Sequence, residues 1–170
     1  MAIHPFASKA ERNWPTERYT EVVIQATSRW HCGILFTGGN APAELDLCDG
    51  LGKLAPNSTL NLCGKTTPKQ LAALLSQVDV LIAPDTGSVH IARAMNTPVI
   101  GLYAVASPSL TGPYQQMEYC VDRFPQAVHK FLNINPDQLP WNTRVHLAEA
   151  MSLITVDDVM QQLETVLAHK

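Results

Sequence analysis

Asp85, Thr86, Gly87 and His90 crowd together in the stretch APDTGSVH, directly after the apolar run VLIA at residues 80–83. Those residue types suit the handling of a diphosphate. A helix starting here presents unpaired N–H groups and the positive end of its dipole to an anion lying against residues 86–89. Gly87 lets such an anion approach the backbone closely, and Thr86 can add a hydroxyl donor. His90 follows Thr86 by four residues, so it falls on the same face one turn further in, where it could donate to a phosphate oxygen or a leaving group. The same residues also make an ordinary helix start, with Asp85 or Thr86 as cap and Gly87 relieving crowding, and a histidine at this place also fits a plain core or surface role. Spacing alone leaves both readings open.

Three other stretches place polar groups after apolar runs. The sequence GKTT at 64–67 looks like the end of a Walker A loop, but that loop needs glycine where this chain has Thr59, which excludes it. Lys65 either leans toward an anion or stands solvated at a strand exit. Gly38, Gly39 and Asn40 lack the further glycine of a dinucleotide fingerprint, which argues against NAD. In HPFASKAERNWP, Ser8, Lys9 and Arg12 could clamp a phosphate, or could simply form a surface loop closed by Trp14 and Pro15. No hydrolytic triad, metal-ligand cluster or pair of catalytic carboxylates can be assembled, so no catalytic residue, metal or cofactor is assigned.

The elements that must position these residues alternate regularly. A helix over PTERYTEVVIQATSRW carries Tyr19, Val22, Val23 and Ala26 at helical spacing. Then come the strand and glycine turn CGILFTGG, a helix over PAELDLCDGLGKLA, the strand TLNLCG, and a helix over TTPKQLAALLSQ with Thr67 as N-cap and Pro68 at its first position. DVLIAPD, TGSVHIARAMN and TPVIGLYA continue the series as strand, helix and strand. Each parallel step needs a helical crossover, so the chain is expected to fold as an α/β, Rossmann-like parallel sheet with helices on both faces. Ligands of such sheets sit at the carboxyl ends of the strands, where all the polar corners named above fall. Beyond residue 104 the pattern weakens. MEYCVD offers a last strand, 124–144 is irregular and rich in proline and asparagine, and TVDDVMQQLETVLAHK ends the chain as an amphipathic helix with a Thr155/Asp158 capping box.

Composition narrows the partners. The 170 residues are 46% hydrophobic and 16% charged, with a net charge of −3, which fits one domain spanning 1–170 with a real core and no basic field for nucleic acid. Cys32, Cys48, Cys63 and Cys120 are far apart and have no C-x-x-C spacing, so they are expected to be reduced thiols. No signal peptide or membrane span is legible, which points to a cytoplasmic protein; attachment at the inner membrane would come through partners.

The order HPFASKAERNWPTERY, ILFTGG, then LNLCGKTTPKQLAALLSQVDVLIAPDTGSVHIARAMNTPVIGLY closely resembles the C-terminal half of the ADP-heptose:lipopolysaccharide heptosyltransferases, glycosyltransferase family 9. The resemblance extends to Gly112-Pro113 and the final helix. It implies the donor-binding half of a two-domain GT-B enzyme, with an ADP-sugar as donor. Asp85, Thr86, Gly87 and His90 match the family's D-[ST]-G-x-x-H motif around the donor's diphosphate and sugar. Ser8 and Arg12 match phosphate-contacting positions of the first loop, and Glu44 matches the acid that bonds the ribose. Lys65 stands among the donor-side residues as well.

Departures accompany the match. Phe6 stands where the family usually has glycine, Ala104-Val105-Ala106-Ser107-Pro108 replaces Gly-Pro-Thr-Asp-Pro, and 122–145 lacks the cysteine-rich pattern of many relatives. The family's N-terminal domain, with its acceptor contacts and acidic base, finds no counterpart in these residues. The chain alone is therefore expected to be inactive, and to meet a glycan or lipid-linked acceptor only through that domain or a partner subunit. Two other readings remain: a degenerate half-enzyme that docks to a partner glycosyltransferase subunit, and a small enzyme using its crevice for another nucleotide.

Overall fold

In the computed structural model, whose described residues are 1–168, the alternating pattern closes into one six-stranded sheet, parallel throughout. In chain order the elements are β1 (Ala2–Ile3), α1 (Thr16–Trp30), β2 (Ile34–Phe36), α2 (Pro42–Gly52), β3 (Thr59–Asn61), α3 (Pro68–Leu75), β4 (Leu81–Pro84), α4 (Gly87–Ala94) and β5 (Val99–Tyr103). A one-turn α5 (Pro108–Thr111), β6 (Val121–Asp122), a short α6 (Phe124–Ala127) and α7 (Val156–Ala168) follow. The spatial order is β3-β2-β1-β4-β5-β6.

Side chains alternate between two buried faces, as the period of an extended chain requires. Ile3, Phe36, Ile82 and Ile100 point to the larger core, where they meet Tyr19, Val22, Val23 and Ala26 of α1, Leu51 of α2, and Val159, Leu163 and Val166 of α7. Ala2, Leu81, Ala83 and Val99 point the other way, onto Leu75 of α3 and Val89 and Ala92 of α4. The expected helix-covered parallel sheet is thus present. Local signals act as expected too. Thr67 and Gln70 form a reciprocal capping box on α3, and Thr155 and Asp158 exchange the equivalent bonds at the start of α7.

Two expectations need correction. The last strand is only two residues long, because Met117–Tyr119 closes into a 3-10 turn; the stretch after it has no long element, as expected, and holds only the short helical pieces Phe124–Ala127, Val128–Leu132 and Pro136–Gln138. The cysteines are not all reduced. Cys48 on α2 and Cys63 just past β3 form a disulfide, since α2 packs back along β3 and brings their Cα atoms to 6.8 Å; Cys32 and Cys120 are free. Among the described residues no helix is long and apolar enough to cross a membrane.

Candidate functional site

β1 and β4 are neighbours in the sheet, yet the helices that follow them leave to opposite faces. Between such strands the two chain exits diverge and open a crevice at their carboxyl ends. The Arg12 loop enters this crevice from β1 and the Asp85 corner from β4.

The β1 exit loop is held from below. Trp14 is 3% exposed, donates its indole N–H to the Ile154 carbonyl at 3.0 Å, and meets the Tyr19 ring edge-on with centroids 4.9 Å apart. Asn13 accepts the Ala7 N–H at 2.7 Å, and a 3-10 turn at Ala10–Arg12 raises Arg12 over the sheet. Trp14 thus plugs the base of a loop whose exposed part carries Ser8 and Lys9, as the surface-loop reading expected.

Arg12 Nη1 lies 3.1 Å from Asp85 Oδ2 and 3.4 Å from the Asp85 carbonyl oxygen. Thr111, at the end of α5, donates its hydroxyl to the same Oδ2 at 3.0 Å. The Asp85 carboxylate is thus engaged by Arg12 and Thr111 and not by the N–H groups of α4. Thr86 occupies the N-cap position but its side chain caps nothing. Gly87 is exposed, and a Cβ there would find no atom within 4 Å, so the backbone at the start of α4 faces open space. His90 is exposed one turn further along. The helix-start reading thus fails in its simplest form, because neither Asp85 nor Thr86 caps the helix.

The other exits continue this rim. Glu44, in the first turn of α2, accepts a hydrogen bond from the Gly39 N–H. Gly64, in the left-handed region at φ 69°, donates its N–H to the Gly38 carbonyl at 3.1 Å, and Lys65 Nζ donates to the Asn61 carbonyl at 3.0 Å. Lys65 is exposed and folds back on its own strand exit instead of reaching across the crevice. Ser8 is exposed at the tip of the β1 exit loop. Arg12, Asp85, Thr86 and Gly87 are thus brought together, with His90 on the same helix, while Glu44, Lys65 and Ser8 stand at neighbouring strand exits.

Two rim residues escaped the sequence reading. His4 follows β1 directly and its Nδ1 lies 3.1 Å from Thr37 Oγ1 at the β2 exit. Burial lowers its pKa to about 4, so it is uncharged at neutral pH. Its strand, Ala2–Ile3, is too short to register in the sequence, so the strand-end rule did not reach it. Thr111 carried no such signal, since it lies 26 residues from its partner Asp85. Chemically, the rim offers a guanidinium, an open helix N-terminus and hydroxyl donors, a set that binds oxyanions. Among the described residues no group of three or more His, Cys, Asp or Glu could hold a metal ion.

The family model for glycosyltransferase family 9 (heptosyltransferase) matches residues 1–139. The chain belongs to that family. It is 35% identical over 164 residues to the lipopolysaccharide core heptosyltransferase OpsX of Haemophilus influenzae, covering 96% of this chain and 47% of that protein. Lipopolysaccharide heptosyltransferase 2 of Escherichia coli is 27% identical over 103 residues, 60% of this chain and 30% of its own length. The family 9 glycosyltransferase of Veillonella parvula superposes with a TM-score of 0.75 at 22% identity, over 99% of this chain and 46% of that one. The E. coli heptosyltransferase WaaC with ADP gives 0.73 at 21% identity, over 97% and 43%. These superpositions establish the shared family 9 fold, and the chain spans less than half the length of each of these relatives.

Proposed function

We propose that this chain is the donor-nucleotide-binding half of an inverting, heptosyltransferase-like glycosyltransferase that takes an ADP-sugar and serves lipopolysaccharide or surface glycan synthesis. The observation that carries the reading is the uncapped start of α4: Arg12 and Thr111 occupy the Asp85 carboxylate, Thr86 caps nothing, and Gly87 leaves the backbone open. Membership of the family adds the substrate class, as does the relative whose structure was solved with ADP.

In this reading the donor's diphosphate lies against the first turn of α4. The helix dipole and the Arg12 guanidinium stabilise the charge that develops on the leaving diphosphate, and Thr86 and His90 donate to its oxygens. Glu44 bonds the ribose from the β2 exit, with Ser8 and Lys65 at the margins of the site. Inversion also needs a base that removes the proton from the acceptor hydroxyl. No residue of this rim is assigned that task, so transfer requires a second, acceptor-binding half.

Isothermal titration of the chain with ADP, UDP and GDP, repeated on His90→Ala, tests the proposal. Selective binding of ADP that weakens in the variant is the expected result. Silence for all three nucleotides at millimolar concentration removes the donor-site reading for this chain and favours a docking half that has lost its ligand.

A further inference from the structure

The turn that carries Thr111 is fixed with unusual care for a four-residue helix. Ser107 Oγ accepts the Ser109 N–H at 3.2 Å at its start. The Gly112 N–H closes its end on the Pro108 carbonyl at 2.7 Å, an approach so close that a Cβ at Gly112 would collide with that carbonyl. Tyr103, on β5, reaches the Thr111 carbonyl with its hydroxyl at 3.4 Å. Beyond the turn, Arg93 of α4 donates Nε to the Tyr114 carbonyl at 2.8 Å, tying the same segment to the far end of the helix. These restraints fix Thr111, whose hydroxyl addresses the Oδ2 that Arg12 also holds.

An aspartate directly before a helix has a strong alternative. With its carboxylate free, it accepts hydrogen bonds from the N–H groups two and three residues on, here Gly87 and Ser88. That would fill with the protein's own carboxylate the place where an anionic ligand must lie. Arg12 alone offers a charge that the carboxylate can follow through several rotamers. A second, fixed donor on the same oxygen selects one of them.

We infer that Thr111 is a positioning residue of the donor site: it holds the Asp85 carboxylate away from α4 and so keeps the helix start open for the diphosphate. The inference rests on the donor-site reading for its purpose, but its physical content, the placement of Asp85, can be measured without any nucleotide.

The test is amide NMR of the unliganded chain for wild type, Thr111→Val and Thr111→Ser, combined with ADP titration. Valine keeps the shape of threonine and removes the hydroxyl; serine keeps the hydroxyl. The expected result has three parts. The Gly87 and Ser88 amide protons move downfield in T111V as they gain the carboxylate, ADP affinity falls about tenfold in T111V, and T111S restores both, all at a melting temperature close to wild type. Gly87 and Ser88 amides unmoved in T111V overturn the inference, as does an ADP affinity equal to wild type in a variant whose amides have moved. If wild type binds no nucleotide, the donor-site reading fails, while the amide shifts still decide whether Thr111 holds Asp85 off the helix. Should T111V fail to fold, Thr111→Ala gives the same readout with a smaller demand on packing.

Discussion

Arg12 and Asp85 stand 73 residues apart in the chain and 3.1 Å apart in space, joined across the gap between the exits of β1 and β4. Their side chains are 18% and 10% exposed, so the pair is largely withdrawn from water. Removing one partner strands the other charge. Arg12→Met is expected to cost ~2–3 kcal/mol in urea denaturation, because the Asp85 carboxylate then keeps only Thr111. Adding Asp85→Asn to Arg12→Met removes the stranded charge and should recover most of that loss, while nucleotide binding stays low in both variants. A double variant as unstable as the single one would show that Arg12 stabilises the fold through packing and not through its ion pair.

Gly87 separates folding from binding more cleanly. A Cβ there meets no other part of the fold within 4 Å, so Gly87→Val is expected to change stability by less than about 0.5 kcal/mol. The isopropyl group nevertheless fills the space over the first turn of α4 that a diphosphate needs. Thermal melting unchanged with ADP binding abolished is the expected pair of results; ADP binding retained by this variant places the ligand elsewhere.

The fold was legible because each parallel step writes its own local signal: an apolar run, a turn, an amphipathic helix. The β4 exit and α3 illustrate it, since VLIA and the Thr67 cap are patterns within a few residues. The site was legible only as far as the strand-end rule reaches. Asp85, Thr86 and Gly87 follow an obvious strand, whereas His4 follows one of two residues, too short to register as a strand. Pairings across the sheet leave no trace in spacing. Nothing local joins Arg12 to Asp85 or Thr111 to Asp85, because each pair is brought together by the strand order, and Cys48 meets Cys63 only once α2 packs back along β3. The same ignorance made Asp85 look like a cap: its preference for the helix start is real, but two distant donors outcompete it.

The Cys48–Cys63 bridge ties α2 to the β3 exit, with Cys63 buried against Gly38. Closing a loop of 15 residues restricts the unfolded chain and contributes up to about 3 kcal/mol. Alkylation in denaturant without reductant should therefore label two of the four cysteines, Cys32 and Cys120, and alkylation after dithiothreitol all four. The reduced chain should also melt at a lower temperature. Four labels without reductant would mean that the two thiols are neighbours and not a bond.

His4 sets an acid limit on the fold that does not depend on any ligand. Burial lowers its pKa from 6.5 to about 4 in the folded chain, so the unfolded chain binds a proton that the folded one refuses between those values. Stability therefore falls as pH drops through 6.5, by up to ~3 kcal/mol at pH 4, and below pH 4 this contribution levels off because both states carry the proton. Carboxylates act in the same acid range. Asp158, although burial opposes it, is held below its ordinary value by hydrogen bonds from Arg123 and Thr155, and its contribution is lost as pH falls through that lowered value. His4→Gln separates the two: it can still reach Thr37 but takes up no proton. The difference between the urea stabilities of wild type and H4Q should change between pH 7 and pH 4.5 in the direction that favours the variant. A difference that stays constant over that window would mean that His4 titrates at its ordinary value and that the β1 exit is wetter than the structure shows.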